Sequence, residues 1–350
     1  MTQNAILISD YDFEFPKELI ASRAAPKGES EILLVPKSGT NLDFKKISAK
    51  TMIDQFNPGD CLVVNNTKVI PARLFGTKST GGKFEILLVA PVPHVEGVVW
   101  EAWIKPGKHF KLGASHEVNG IRLEVIEIQE DGTRVLKFDC THVVFDAMLD
   151  ASGKIPLPPY IEREADQEDA ASYQTVFAKH RGAVAAPTAS LHFSEDMMKG
   201  IQAKGVHVAE VTLHVGPGTF KPVEVENALE HPMHGEVYQL DTFNAQIIND
   251  AKAGGGRIIS VGTTSTRVLE TVAQDDGLVI AGQGVTHAYI YPGYQWKIVD
   301  GMVTNFHWPR STLLLLVSAL CSREQILKAY NYAFEEKMRL FSYGDGMLIL

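Results

Sequence analysis

Short apolar runs alternate with polar turns along the chain, and their lengths predict where strands and helices are buried. The runs at 32–35 and 61–64 are aliphatic and too short for helices, so they predict buried strands. Before them, apolar residues at helical spacing around Leu19 and Ile20 follow Pro16. Because proline is common in the first turn of a helix, this segment predicts a helix beginning near Pro16.

The stretch from about 73 to 140 differs from its surroundings, because short β-rich runs follow one another without helices. The runs are KFEILLVA, VVWEAWIKP, IRLEVIEIQ and TRVLKFDC, with turn signals such as Asn119-Gly120 and Asp131-Gly132 between them. Regular short strands of this kind predict a compact antiparallel sheet or barrel.

Helices and strands alternate after a proline-rich connector at 151–163. FSEDMMKGIQAKG predicts a helix capped by Ser194 and ended by Gly205, and VHVAEVTLHV predicts a buried strand. FNAQIINDAKAGG, RIISVGTT and STRVLETVAQ continue as helix, strand and helix. The predicted fold class is α/β, with a discontinuous α/β domain (1–70 and 152–350) and an inserted antiparallel β-barrel-like domain (71–151).

Composition places the chain among soluble globular proteins, with 350 residues, 45% apolar and 21% charged. No apolar run approaches the roughly 20 residues of a membrane span, and we expect neither a secretion signal nor a membrane association. The three separated cysteines predict reduced thiols in the cytoplasm. The net charge of −9 does not favour nucleic-acid binding, although local lysine clusters are compatible with a basic face on part of the surface.

Two polar clusters follow predicted strands but have ordinary structural explanations. Thr188, Ser190 and His192 alternate with small or apolar residues, which fits a plain strand or turn as well as a site. Gly216 and Gly218 flank a proline directly after a buried strand, where glycine lets the backbone approach a ligand. A single G-x-G is weak support for a phosphate site, and a structural turn explains it as well.

A third cluster brings His231, His234 and Glu236 within six residues. A metal site on a helix is disfavoured, because Pro232 and Gly235 interrupt any helix there and no further ligand completes the set. A histidine beside a carboxylate suits general acid–base catalysis. An ordinary polar surface loop is the alternative.

Two further clusters lie where strands meet helices. Thr263, Thr264, Ser265 and Arg267 combine hydroxyls with a helix start and predict a carboxylate or anion site, whereas capping by Thr264 or Ser265 explains only one hydroxyl. In TNFHWPRST, Ser311 or Thr312 can cap the following leucine-rich helix, and Pro309 suits its first turn. Capping does not explain the neighbouring Asn305, His307 and Arg310, so these clusters predict a ligand site at the mouth of the sheet.

Nine motifs in order resemble the S-adenosylmethionine:tRNA ribosyltransferase-isomerases of queuosine biosynthesis. They are NNTKVIPARLFG, PLPPYI, YQTVFA, AVAAPTASLHF, LHVGPGTFKPV, MHGEVY, VGTTSTRVLE, TNFHWPRSTLLLLVSA and FSYGDGMLI. The resemblance spans the chain and implies a discontinuous α/β fold with an inserted β-barrel-like domain. It also implies transfer and isomerisation of the ribosyl moiety of S-adenosylmethionine onto 7-aminomethyl-7-deazaguanine at the tRNA wobble position. The products are epoxyqueuosine-tRNA, adenine and methionine.

Site roles are assigned on this basis. His234 or Glu236 is the expected base, with His214 and His307 as alternatives or proton donors. The residues expected to bind S-adenosylmethionine are Thr188, Gly216, Gly218, Thr219, Thr263, Thr264, Ser265, Arg267, Asn305 and Phe306. The residues expected to bind tRNA are Lys68, Arg73 and Arg310, with Asn305 and Arg310 able to serve either substrate. S-adenosylmethionine is then a substrate, and no metal, prosthetic group or partner chain is expected beyond tRNA, so we expect a monomer.

Some positions depart from the family pattern, which usually has Asp, Arg, Gly, Leu and Ala where Asn66, Lys68, Ser190, Trp308 and Gly346 stand. The family also tends to carry Ser-Arg where this chain has Glu31-Ile32. Lysine for arginine keeps the charge but loses bidentate geometry.

Three other functions remain as alternatives. They are a non-catalytic RNA-binding module, an ordinary methyltransferase and a hydrolase. Dense polar loops disfavour the first, and the absence of a glycine-rich methyltransferase opening or a G-x-S-x-G elbow disfavours the others.

Overall fold

The computed structural model describes residues 5–37, 43–77, 81–92, 94–220 and 222–350, with the side chains of 219 and 220 outside the description. The strands within these ranges are β1 (Glu31–Val35), β2 (Lys45–Ser48), β3 (Cys61–Asn65), β4 (Thr67–Val69), β5 (Arg73–Thr77), β6 (Lys83–Pro91), β7 (Val98–Lys105), β8 (Ser115–Val118), β9 (Ile121–Ile128), β10 (Arg134–Phe138), β11 (His180–Ala183), β12 (His207–Leu213), β13 (Glu236–Leu240), β14 (Ile258–Val261), β15 (Gly282–Thr286), β16 (Gly301–Asn305) and β17 (Gly346–Ile349).

The α-helices are α1 (His142–Ser152), α2 (Gln167–Ser172), α3 (Glu195–Ala203), α4 (Thr242–Ala253), α5 (Gly262–Val272), α6 (Thr312–Leu320) and α7 (Arg323–Glu335). Short 3-10 helices lie at Ile8–Tyr11, Lys17–Leu19, Ala49–Gln55, Gly107–His109, Thr188–His192, Pro217–Phe220 and Ala228–Glu230.

The larger sheet has the strand order β15-β13-β12-β3-β14-β16-β17-β1-β2. Its centre, β12, β3, β14 and β16, is parallel, and every residue of β3, β14 and β16 is buried. Such strands are largely apolar because helices cover both faces of a parallel sheet. The predicted strands at 32–35 and 61–64 are confirmed as β1 and β3.

Alternate residues of the same strands pack against different helices. Leu33 of β1 packs with α6 and α7, whereas the adjacent Ile32 packs with α3. Cys61 of β3 packs with α4 and α5, and Leu62 again with α3. Successive residues of a strand point to opposite faces of the sheet, so helices α4 to α7 pack on one face and α3 packs on the other.

The second sheet has six antiparallel strands in the order β5-β6-β7-β10-β9-β8, and its edge strands β5 and β8 lie against each other in a nearly closed barrel. Its core takes residues such as Leu74, Ile86 and Leu136 from the strands and Phe145 and Leu149 from α1. The predicted β-rich region and the predicted fold class are confirmed. The boundaries at 71 and 151 stay a prediction.

Two helix N-caps were predictable from the sequence because a single side chain forms each of them. Ser194 accepts a hydrogen bond from the Met197 amide at the start of α3, and Ser311 accepts one from the Leu314 amide (3.2 Å each) at the start of α6. Both capping predictions are confirmed, although Pro309 lies before α6 and not in its first turn.

One prediction and one alternative explanation at helix starts are wrong. The helix predicted at Pro16 is a single 3-10 turn, Lys17–Leu19, because the Leu19 carbonyl accepts a hydrogen bond from the Leu340 amide (2.8 Å) and draws the chain into a bridge. Helix α5 begins at Gly262 without a side-chain cap, so neither Thr264 nor Ser265 caps it.

Candidate functional site

The carboxyl ends of the four central parallel strands lie at one edge of the sheet, and the polar motifs follow directly after them. β3 ends at Asn65, β12 at Leu213, β14 at Val261 and β16 at Asn305. Open α/β sheets bind ligands in the crevice at this edge, because loops from separate strands meet there. The sequence motifs after these four strands are therefore neighbours in space.

A cavity of about 700 Å³ opens at this edge, within the range of small-molecule sites. Its polar lining includes Thr188, Thr263, Thr264, Asn305, His307, Arg310 and Ser311. Its apolar lining includes Phe13, Phe15, Ile20, Tyr160, Val215, Phe306, Trp308 and Phe341. We call it the first cavity.

A second cavity of about 400 Å³ lies between the barrel and the larger sheet. Its barrel side includes Val89, Pro91, His94, Glu101, Trp103 and Gln129. Its sheet side includes Gly182, His214, Gly216, Gly218, His231, His234, Glu236, Arg267 and Tyr289. We call it the second cavity.

The two cavities adjoin, because the same loops line both. Leu313 lines each of them, and Val215 faces the first cavity while its neighbour Gly216 faces the second. On α5, Thr264 lines the first cavity, and Arg267, nearly one turn later, lines the second. The single site predicted from the sequence is thus divided in two by a thin partition.

Glu236 and Arg267 form a buried ion pair beside this partition, each with a side chain only 8% exposed. The second carboxylate oxygen of Glu236 accepts a hydrogen bond from the Gly216 amide (3.2 Å), and Arg267 Nε donates to the Ala288 carbonyl (3.1 Å). The pair therefore ties β13, α5 and the loops after β12 and β15 together. A buried charge needs such a counter-charge to be tolerated.

Burial also keeps two of the candidate histidines neutral. It lowers the pKa of His307 to about 3, and Nε2 of that ring lies 2.9 Å from the Thr304 hydroxyl. Burial, with repulsion from His180 adding to it, lowers the pKa of His214 to about 4, and its Nδ1 lies 2.8 Å from the Thr67 hydroxyl. Neither carries an extra proton at neutral pH, so neither is a preformed acid, and the lowered pKa values make both rings weak bases.

Comparison with known proteins identifies the family. The family model described as queuosine biosynthesis protein matches residues 8–349. The chain belongs to this family. It is 47% identical over 346 residues to the S-adenosylmethionine:tRNA ribosyltransferase-isomerase of Acetivibrio thermocellus, covering 98% of this chain and 99% of that protein. It is 45% identical over 344 residues to the protein of the same name from Clostridioides difficile, covering 97% and 98%.

A solved structure agrees with this family membership. The crystal structure of S-adenosylmethionine tRNA ribosyltransferase from Thermotoga maritima is 31% identical to this chain and has a TM-score of 0.54. The match covers 97% of this chain and all of that one. The resemblance found in the sequence is therefore confirmed over the whole fold.

Most residues that the queuosine-family resemblance singled out line one cavity or the other. The first cavity has Thr188, Thr263, Thr264, Asn305, Phe306, His307 and Arg310. The second cavity has His214, Gly216, Gly218, His234, Glu236 and Arg267. The side chain of Thr219 lies outside the described residues.

A few candidates lie elsewhere. The Ser265 hydroxyl is buried within α5 and donates to the Val261 carbonyl (3.0 Å), so it points into the helix rather than into a cavity. Ser190 and His192 are buried in a 3-10 helix, with His192 Nδ1 2.8 Å from the Ser30 hydroxyl. Arg73 pairs with Glu85 of the barrel at 3.3 Å.

Glycines set how closely the loops of the second cavity approach each other. A Cβ atom at Gly218 would lie 3.1 Å from the His234 ring, and one at Gly182 would lie 2.8 Å from the His214 ring. Gly182 also has a φ of +150°. The G-P-G motif leads into the short 3-10 helix Pro217–Phe220, as a structural turn would, and Gly218 lets this turn lie close to the His234 ring.

Among the described residues, no group of three or more histidine, cysteine or acidic side chains is arranged to hold a metal ion. No helix in the described ranges is long and apolar enough to cross a membrane.

Two parts of the site are not evident from the sequence. The first is the set of aromatic rings in the first cavity, Phe15, Tyr160 and Phe341 beside Trp308. The second is the barrel wall of the second cavity, with Glu101, Trp103 and Gln129. PLPPYI and FSYGDGMLI were noted as motifs, but no local pattern shows that their aromatic residues meet across the fold.

Proposed function

We propose that this protein transfers and isomerises the ribosyl moiety of S-adenosylmethionine onto 7-aminomethyl-7-deazaguanine at the wobble position of tRNA. The products are epoxyqueuosine-tRNA, adenine and methionine. S-adenosylmethionine and tRNA are the substrates that the names of the relatives carry. The observation that carries the proposal is the pair of adjoining cavities at the carboxyl edge of the sheet. A reaction between a small donor and a base of a macromolecule needs two such spaces with a shared boundary.

The chemistry explains the kinds of residue in the two cavities. A sulfonium acidifies the adjoining ribose carbon, so a positioned base can remove a proton there. Adenine must leave, the aminomethyl nitrogen must bond to the sugar, and an epoxide must close as methionine departs. These steps require a base, a proton for adenine and a space that excludes water from reactive intermediates.

We place S-adenosylmethionine in the first cavity. Its volume of about 700 Å³ is the larger of the two, and its lining combines hydroxyls with aromatic rings. Thr263 and Thr264 lie in the first turn of α5, where backbone amides attract a carboxylate such as that of methionine. Asn305 and Phe306 at the end of β16 complete that side of the cavity.

We place the acceptor base in the second cavity, which adjoins a basic strip on the surface. This strip consists of Lys68 of β4 and its register partner Arg181 of β11. The Arg181 guanidinium pairs with Asp150 of α1 (2.8 Å), so Lys68 supplies most of the free positive charge of the strip. Gly182, the next residue of β11, lines the second cavity. Recognition of a loop base requires that base to be splayed out of its stack.

The inserted barrel domain, for which we propose residues 71–151, forms the opposite wall of the second cavity. Val89, Glu101 and Gln129 come from β6, β7 and the β9–β10 turn. Arg73 begins β5 near the basic strip but is paired with Glu85, so Lys68 contributes more free charge to tRNA than Arg73 does. The monomeric state and the cytoplasmic location stay predictions.

His234 is our proposed base, and Glu236 with Arg267 holds the loops around it. The Glu236 carboxylate already accepts hydrogen bonds from Arg267 and from the Gly216 amide, whereas the His234 side chain is exposed. Gly218 allows the His234 ring to approach the loop after β12. A base must lie within reach of the proton that it removes, so this assignment requires the ribose of S-adenosylmethionine to extend from the first cavity towards His234 in the second.

The experiment mixes the enzyme, S-adenosylmethionine and tRNA that carries 7-aminomethyl-7-deazaguanine. The proposal predicts free adenine and methionine in equal amounts, dependent on the modified tRNA. His234→Gln is expected to reduce adenine release by about 100-fold or more at saturating substrates, while Lys199→Ala on the exposed face of α3 serves as the control. Production of S-adenosylhomocysteine would support a methyltransferase instead. Tight tRNA binding without turnover would support an RNA-binding module.

A further inference from the structure

Four aromatic rings from distant parts of the chain form one wall of the first cavity. Trp308 is at the centre, stacked on Tyr160 with ring centroids 5.2 Å apart and planes only 12° from parallel. Phe15 meets Trp308 edge to face at 5.2 Å, and Phe341 lies 4.7 Å from it. We call this set the aromatic wall.

The aromatic wall is open on the cavity side. Trp308 is 36% exposed although it lines the first cavity and contacts three other aromatic rings. Tryptophan usually buries its large surface against protein. An accessible indole inside a cavity of about 700 Å³ therefore offers a flat apolar face to a ligand.

The backbone around the wall is held in an uncommon conformation. Phe341 has a φ of +67°, in the left-handed region that bulky residues rarely adopt. Its carbonyl accepts hydrogen bonds from the Asn305 side chain (3.0 Å) and the Gly344 amide (3.0 Å), which fix it. Such strain persists where the surrounding structure determines it, and it clusters at ligand sites. The ring of Phe341 is thereby placed against Trp308.

From the wall, its exposure and its place in the cavity, we infer that Trp308 stacks on the purine-type base of a substrate. Nucleobases have flat π-faces that stack on tryptophan and tyrosine whatever their hydrogen-bonding edges. The inference rests on the proposed function, in which both substrates carry a purine-type ring. These rings are the adenine of S-adenosylmethionine and the 7-deazaguanine of the tRNA. Because Trp308 lines the first cavity, where we place S-adenosylmethionine, adenine is the expected ring, and stacking of the deazaguanine instead would exchange the two cavity assignments while leaving the stacking site standing. Trp308 is a binding residue in this assignment, since it holds the base and does not transfer a proton.

The first test follows the intrinsic fluorescence of the enzyme as adenosine is added, and separately as free 7-aminomethyl-7-deazaguanine is added. Stacking on an indole quenches its emission, so saturable quenching is expected with one of the two bases and identifies which substrate supplies it. The quenching should be lost in Trp308→Phe, which keeps a ring for stacking but removes the indole. Methionine alone should not quench. Saturable quenching of equal size in Trp308→Phe, or no quenching by either base, would overturn the inference.

The second test separates binding from chemistry. Trp308→Leu is expected to raise the KM of the substrate that quenches roughly 5- to 100-fold, with kcat changed by less than about threefold, because stacking is made in the ground state as well. Trp308→Phe should recover most of that affinity. Phe44→Leu is the matched control, since Phe44 contacts Tyr332 away from both cavities. An unchanged KM in Trp308→Leu would overturn the inference.

The two tests also distinguish this inference from the proposed function. Quenching by a base without ribosyl transfer to tRNA would leave the stacking site standing while the proposed reaction failed. Ribosyl transfer with no quenching and an unchanged KM in Trp308→Leu would leave the reaction standing while the stacking site failed.

Discussion

Replacing Glu236 by glutamine removes the counter-charge of Arg267 in a place that water does not reach. Both side chains are only 8% exposed, so the guanidinium would keep its charge with the Ala288 carbonyl (3.1 Å) as a remaining acceptor. Removing one partner of a buried pair costs about 3–5 kcal/mol, because the other charge is left uncompensated. We therefore expect Glu236→Gln to lower the free energy of unfolding by about that amount.

The assay is urea unfolding of a double-mutant cycle formed by Glu236→Gln, Arg267→Met and the double variant. Arg267→Met leaves the Glu236 carboxylate buried with the Gly216 amide as its donor, and we expect a similar cost. The double variant buries neither charge, so its loss should be smaller than the sum of the single losses by at least about 2 kcal/mol.

An exposed ion pair supplies the control. Lys199 and Asp196 lie 3.0 Å apart on α3 with side chains 74% and 90% exposed, and Asp196→Asn should cost less than about 1 kcal/mol. A cost below about 1 kcal/mol for Glu236→Gln, or strict additivity in the cycle, would refute the claim that this pair holds the loops of the second cavity together.

Three further perturbations follow from the same structure. His307→Gln should make the free energy of unfolding less dependent on pH between pH 6.5 and 4. Burial lowers the pKa of His307 to about 3, so in this range the unfolded chain binds a proton at His307 and the folded chain does not. In the wild type, this histidine makes stability fall with decreasing pH by up to about 1.4 kcal/mol per pH unit. Lys68→Ala should reduce the slope of log binding constant against log salt for an anticodon stem-loop by about 1, whereas Lys199→Ala leaves it unchanged. Gly218→Ala should lower turnover roughly 10-fold at unchanged melting temperature, because the added Cβ would lie 3.1 Å from the His234 ring.

The outcomes that contradict these expectations are equally specific. Identical pH dependence of unfolding in His307→Gln and the wild type would mean that His307 is not buried in its neutral form. Salt-insensitive binding of the stem-loop would remove the basic strip from the tRNA interface. Full activity in Gly218→Ala would show that the His234 ring does not need its close approach to this loop.

The fold was predictable where a short stretch of chain decides its own structure. Aliphatic runs gave β1 and β3 because a strand between two helical layers is apolar on both faces. Ser194 and Ser311 were recognisable as caps because the hydroxyl and the amide it accepts from are three residues apart. The helix predicted at Pro16 does not form because the amide of the distant residue Leu340 hydrogen-bonds to the Leu19 carbonyl.

The gathering of the candidate residues at the carboxyl edge of the sheet was predictable, whereas their division between two cavities was not. Polar motifs after strand ends pointed to one crevice, since parallel strands bring their carboxyl ends together. The neighbouring residues Val215 and Gly216 face different cavities because of the backbone conformation of their loop. The spacing of apolar residues in the sequence does not predict that conformation. The ion pair of Glu236 with Arg267 and the contact of Tyr160 with Trp308 join residues far apart in the chain.

Isotope transfer from the donor tests the central claim most directly. The enzyme is incubated with S-adenosylmethionine carrying ¹³C in all ribose carbons and with tRNA carrying 7-aminomethyl-7-deazaguanine, and the digested nucleosides are analysed by mass spectrometry. If the proposed transfer occurs, all the labelled ribose carbons arrive together on the wobble base, while the released adenine and methionine stay unlabelled. Retention of the label on adenosine, or a tRNA that gains only a methyl group, would contradict it.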